Sequence, residues 1–124
     1  MPKPRPKYLN LVKIRLPLPG VVSIMHRMSG AALFFLIPVL LYLLQMSLES
    51  QHGFAAIRGE LTTPLAKLVL IGALWAFLHH FCAGIRYLAL DLDVGTDLAP
   101  ARASSWAVLA VSIPLTLALG VLLW

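Results

Sequence analysis

Three long apolar runs, at about 30–48, 65–90 and 104–124, decide what this chain can fold into. Crossing the hydrocarbon of a bilayer takes about 20 predominantly apolar residues per helix, so three crossings with short connections use nearly the whole sequence. Backbone N–H and C=O groups in lipid must pair within their own segment, which makes each run a helix. Of the 124 residues 60% are hydrophobic and only 12% charged, a balance that no soluble domain of this size can hide in a core. The sequence therefore reads as an all-α membrane protein of three transmembrane helices, with lipid covering much of it and no room for a soluble catalytic domain.

The net charge of +5 does not point to nucleic acid, because the basic residues form no stripe on a soluble face. They gather before the first run, as Lys3, Arg5, Lys7, Lys13 and Arg15, interleaved with Pro2, Pro4, Pro6, Pro17 and Pro19, which discourage a regular helix. This predicts an extended cytoplasmic arm over residues 1–20 and a transmembrane domain over 21–124. The first apolar run is too long and too late for a cleaved signal peptide, so the N-terminus is read as retained. Cys82 is the single cysteine and lies inside a predicted span, which rules out a disulfide or a cysteine metal cluster within the chain.

The spans are expected at about 21–48, 65–90 and 104–124. Pro38 lies inside the first, where a freed carbonyl needs a neighbouring helix, so a packed bundle is favoured. Glu49 to Thr63, with Gln51, His52, Arg58 and Glu60, is read as a polar loop in water or at the interface, and Asp91 to Arg102 as a second loop. The third span contains Pro114 and ends on an interfacial Trp124. Three crossings put the termini on opposite sides, and the basic arm outweighs Arg58 and Lys67 of the first connection. The N-terminus is then cytoplasmic and the C-terminus periplasmic, in a multi-pass protein of a bacterial inner membrane.

Ionisable side chains deep in a span mark a site by default, and the second run carries His79, His80 and Arg86. Counting back from Leu90, His80 is about ten residues, or about 15 Å, below the cytoplasmic face and near the bilayer midplane. Helical spacing puts His80, Gly84, Tyr87 and Asp91 on one face and His79, Ala83 and Arg86 on the next. Glycine one turn from a histidine leaves room for a flat macrocycle, and a neutral imidazole is a standard axial ligand of haem iron, so His80 is the better ligand candidate. Arg86, shallower, is within reach of a headgroup or a propionate. On spacing alone, a histidine that merely hydrogen-bonds across the bundle remains open.

A second constellation is Ser23, His26 and Arg27 at the entrance of the first span, with Ser23 and Arg27 on one face at i and i+4. A hydroxyl and a guanidinium together can hydrogen-bond a quinone carbonyl and stabilise the charge that develops on its reduction. The competing reading is an ordinary positive helix start, with Arg27 reaching to lipid phosphate.

Two blocks of this sequence resemble a known family. Arg15-Leu16-Pro17, then Ser23-Ile24-Met25-His26-Arg27-Met28-Ser29-Gly30, is similar to a proline turn followed by serine, two apolar residues, histidine, arginine, one residue, serine or threonine, and glycine. His80-Phe81-Cys82-Ala83-Gly84-Ile85-Arg86-Tyr87, on to Asp91, is similar to histidine, three residues, glycine, isoleucine, arginine and an acidic end. Both blocks resemble the cytochrome b subunits of four-subunit succinate dehydrogenases, respiratory complex II, over nearly the full length. The resemblance implies that His80 is the axial ligand of haem b, that Ser23 and Arg27 belong to the quinone site, and that His26 and Arg27 lie near the haem propionates, assisted by Arg86. It departs at Tyr87, where many relatives carry histidine, and at His79, where relatives often show another residue; the choice of His80 over His79 rests on the distance to Gly84.

The resemblance further implies a flavoprotein subunit that oxidises succinate, an iron-sulfur subunit that relays electrons, and a second three-helix membrane anchor packed against this one. It allows trimers of the complex. This chain has neither a nucleotide-binding glycine turn nor the cysteines for a cluster. One mid-membrane histidine face supplies one axial ligand, so the second imidazole is expected from the partner anchor, with ubiquinone as the substrate reduced at the membrane boundary. The rivals are an anchor working in the fumarate-reducing direction, a haem-free relative, and a small non-redox membrane protein whose polar face serves helix packing.

Overall fold

The computed structural model describes residues 14–123. Lys3, Arg5, Lys7 and Lys13 of the basic arm, and Trp124, lie outside the described residues. The chain forms α1 (Leu18–Glu49), α2 (Gln51–Leu61), α3 (Pro64–Asp91) and α4 (Leu98–Leu123). There is no strand among the described residues. Helices α1, α3 and α4 are each long and apolar enough to cross a membrane.

Proline sets where these helices begin. Pro17 is extended at φ −65° and ψ 155° and caps α1, and Pro19 sits in the first turn, where its missing N–H leaves no bond unmade. The helix thus starts three residues ahead of Val21. Thr63 caps α3 by accepting from the Ala66 N–H at 3.3 Å, with Pro64 opening the first turn. In α4, Pro100 falls in the first turn, so Asp97 and Pro100 launch the helix at Leu98 instead of extending the loop. Asp93 at φ 58° and Gly95 at φ 77° make the turn between α3 and α4.

The segment expected as the first loop is largely helical. Ser50 breaks α1 with an extended backbone and caps α2 through a 3.0 Å bond from the Gly53 N–H. A Cβ at Gly53 would collide with the Met46 carbonyl, so glycine is what lets α2 turn so closely off the end of α1. Phe54, Ile57 and Leu61 recur at helical spacing and line a cleft with Ser47 and Leu123. The polarity of this segment is real, but its apolar period and its caps govern its backbone.

Helix α3 lies at the centre, packed on both α1 and α4. The buried apolar core is small: Val22, Ala83 and Val108 cluster together, and Ala76 and Leu78 are buried elsewhere on α3. Large side chains such as Phe34, Phe35, Leu41 and Leu117 are more than half exposed, as a lipid-facing or partner-facing surface requires. The only buried residues of α1 are Val22 and Ser29, so its N-terminal half does most of the packing.

Candidate functional site

Where α1 and α3 cross, the His80 ring lies flat against the His26 ring, with centroids 4.1 Å apart and planes 8° from parallel. His80 Nδ1 is 3.0 Å from the His26 carbonyl oxygen and 3.2 Å from Ser29 Oγ. The Ser29 hydroxyl itself donates to the His26 carbonyl at 2.9 Å. A carbonyl can only accept, so Nδ1 carries the proton and shares it between the carbonyl and the Ser29 oxygen. The lone pair of the neutral ring is then on Nε2, which makes no hydrogen bond to a described residue and is not sealed within the chain. A second nitrogen locked on a backbone carbonyl is the usual arrangement behind a metal-bound histidine, because it fixes tautomer and ring orientation.

Gly30 makes this clasp possible. A Cβ there would lie 2.8 Å from His80 Cε1 and 3.3 Å from Nδ1, closer than two unbonded atoms tolerate. At Gly84 the nearest atom to a Cβ is His26 Nε2 at 3.9 Å, an ordinary contact, so the chain's own packing leaves space there. Tyr87 completes the cluster, its ring 5.0 Å from that of His26. The site thus has an imidazole with an available Nε2, beside a glycine that leaves room, which fits an axial ligand and a flat group next to it.

Arg86 borders this cluster at Tyr87 but spends its hydrogen bonds on α4. Its Nε donates to Ser104 Oγ at 3.0 Å and a terminal N–H to the Ala101 carbonyl at 3.3 Å, both on the first turns of α4. Its guanidinium carbon is 5.3 Å from the Tyr87 ring centroid, within cation–π range. Being buried at 8% exposure, it joins α3 to α4 within this chain. Ser23, half-buried, and Arg27, exposed, sit on α1 beside His26 with no side-chain hydrogen bond to a described residue, so their donors are available to an outside group. His79 is fully buried, one residue from His80 but on a different face, and stacks on Trp75 at 5.2 Å.

The structure therefore brings His80, His26 and Gly84 together, with Arg86 at the edge of the group against Tyr87 and bonded to α4. It adds Ser29 and Gly30, which the residue-by-residue reading left without a role. Their signal was available in part, since Ser29 and Gly30 follow His26 at i+3 and i+4 and must share its face. What they face could not be read from α1 alone.

Against known proteins, residues 1–119 match the family model described as succinate dehydrogenase/fumarate reductase transmembrane subunit. The chain is 36% identical over 121 residues to the succinate dehydrogenase cytochrome b556 subunit of Coxiella burnetii, covering 97% of each chain. It is 34% identical over 111 residues to that of Paracoccus denitrificans, covering 90% of this chain and 85% of the other. With that of Rickettsia typhi it shares 31% identity over 117 residues, covering 94% and 91%. By the extent of these matches and its three apolar helices, the chain belongs to the family of succinate dehydrogenase/fumarate reductase transmembrane subunits.

Proposed function

We propose that this chain is the haem b-binding membrane anchor of a succinate:quinone oxidoreductase, with His80 Nε2 as one axial ligand. The observation that carries this is the clasp on Nδ1 by the His26 carbonyl and Ser29, which leaves Nε2 with its lone pair at mid-membrane depth. Bound there, the haem would supply a one-electron relay between the iron-sulfur subunit and membrane quinone. The chain's own residues orient and hold. Ser29 and the His26 carbonyl fix the imidazole, Gly30 admits it, Gly84 leaves space beside it, and the faces of His26 and Tyr87 wall it off.

A partner anchor would supply the second imidazole, since the His26 ring lies flat on the His80 ring and His79 is fully buried on another face of α3, so that neither can oppose His80 Nε2 across a flat group. Ser23 Oγ–H and the Arg27 guanidinium are the donors for a ubiquinone carbonyl, and Arg27 and His26 are close enough along α1 to serve a propionate as well. An iron-sulfur subunit and a flavoprotein subunit complete the enzyme. The N-terminal arm, rich in lysine and arginine, faces the cytoplasm of a bacterial inner membrane and the end of α4 faces the periplasm. Arg86 is a weaker candidate for the haem, because its donors are engaged by α4.

The test is a reduced-minus-oxidised spectrum of the purified complex carrying His80→Ala. The b-type bands are lost or strongly shifted if His80 is the ligand, and an unchanged spectrum removes it from that role. For the quinone site, Arg27→Leu is expected to lower quinone reduction far more than succinate oxidation by a soluble dye. Equal loss of both activities would point to failed assembly and not to the quinone.

A further inference from the structure

Helix α4 turns a buried stripe inward: Ser105, Val108, Ser112, Thr116 and Gly120. Two of its hydroxyls are satisfied locally, Ser105 Oγ on the Ala101 carbonyl and Thr116 Oγ1 on the Ser112 carbonyl, both at 2.7 Å. The Ser112 hydroxyl is not. It is fully buried and has no hydrogen-bond partner among the described residues. On α3, His79 is likewise fully buried, and neither of its ring nitrogens makes a hydrogen bond to a described residue.

The antiparallel register of α3 and α4 puts these two residues at one level. Arg86 meets Ser104, Ala83 shares its cluster with Val108, and Ile71 Cγ1 is 3.8 Å from where a Cβ on Gly120 would be. Stepping one turn from the Ala83 and Val108 level leads to His79 on α3 and Ser112 on α4. Both are closed off completely from the surface. From the α1 side the Val22 carbonyl approaches the His79 ring without reaching hydrogen-bond geometry.

Leaving an imidazole and a hydroxyl unpaired in the interior of a membrane bundle costs several kcal/mol, since no bulk water is there to pair them. We propose that one water molecule is held between His79 and Ser112 inside the span. In any protonation state the ring presents at least one N–H donor, and the hydroxyl is both donor and acceptor. A water, with two donors and two acceptors, joins them and can give its remaining proton to the Val22 carbonyl, which provides the three partners usual for buried water. This site ties α3 to α4 on a face of α3 about 100° round the helix from the His80 clasp, and it does not depend on what His80 binds.

The complete membrane complex is the material for the test. Infrared difference spectra in ordinary and oxygen-18 water should show an isotope-shifted O–H band of an isolated water, lost in Ser112→Ala and in His79→Phe. Persistence of the band in Ser112→Ala, or its absence from the native complex, overturns the proposal. A cryo-electron map with ordered solvent should show one peak within hydrogen-bond range of both side chains. An empty gap or a direct contact between ring and hydroxyl also overturns it. If His79→Phe does not accumulate, Ser112→Ala alone carries the measurement, with its b-type spectrum expected to stay native.

Discussion

Gly30→Ala tests the clasp that the proposed haem ligation needs. The added methyl would lie 2.8 Å from His80 Cε1, whereas carbon atoms in ordinary contact are about 3.5–4.0 Å apart, so the ring must retreat by roughly 0.7–1.2 Å. It has little freedom to do so, with the His26 ring stacked at 4.1 Å and Nδ1 bonded to the His26 carbonyl at 3.0 Å. A retreat of that size is enough to break the bond. Overpacking costs about 1–3 kcal/mol and the lost bond roughly 0.5–1.5 kcal/mol, so about 1.5–4.5 kcal/mol is expected in all. The assay is the thermal melting of the purified complex together with its b-type spectrum. Both should change in Gly30→Ala. At Gly84, where a methyl meets only His26 Nε2 at 3.9 Å, the chain's own packing is not disturbed, so a spectral change in Gly84→Ala reports a group bound beside it. A Gly30→Ala complex with native melting and native spectrum would show that the ring yields freely and that the clasp does not hold His80.

Two further substitutions separate packing roles from cofactor roles. Ser104→Ala removes the 3.0 Å bond from Arg86 Nε, and interhelical bonds in membranes are worth roughly 0.6–1.7 kcal/mol. The melting temperature should fall with no change in the b-type bands, and a shifted spectrum with unchanged melting would instead place Arg86 at the haem. Gly53→Ala sets a methyl against the Met46 carbonyl, which as backbone cannot swing aside, so the corner between α1 and α2 should open at about 1–3 kcal/mol. Faster proteolysis at Ser50 to Gly53 is the expected result, and native resistance there would refute so tight a corner.

Among the features legible beforehand, the three crossings stand out, because hydrophobicity sustained over the thickness of a bilayer leaves the backbone one way to pair. Pro17 and Pro64 could have been read as helix starts on the same footing as the polar residues read as loops. In the segment after Glu49 the charges of Arg58 and Glu60 outweighed the spacing of Phe54, Ile57 and Leu61, and the helix was missed. The motif residues were recognisable as a set, but not their division of labour.

The sequence by itself determined an all-helical membrane chain, the position of His80 along its helix and the faces each helix can offer, since rise and period follow from the backbone alone. Which face meets which is a property of three helices at once. Only the packed bundle decided that His80 turns to α1, where Ser29 and Gly30 receive it, that Arg86 turns to α4, and that His79 is enclosed between them. Residues one apart on a helix point about 100° from each other, so neighbours in the motif were bound to serve different partners, and the partners are fixed by the relative rotation of the helices.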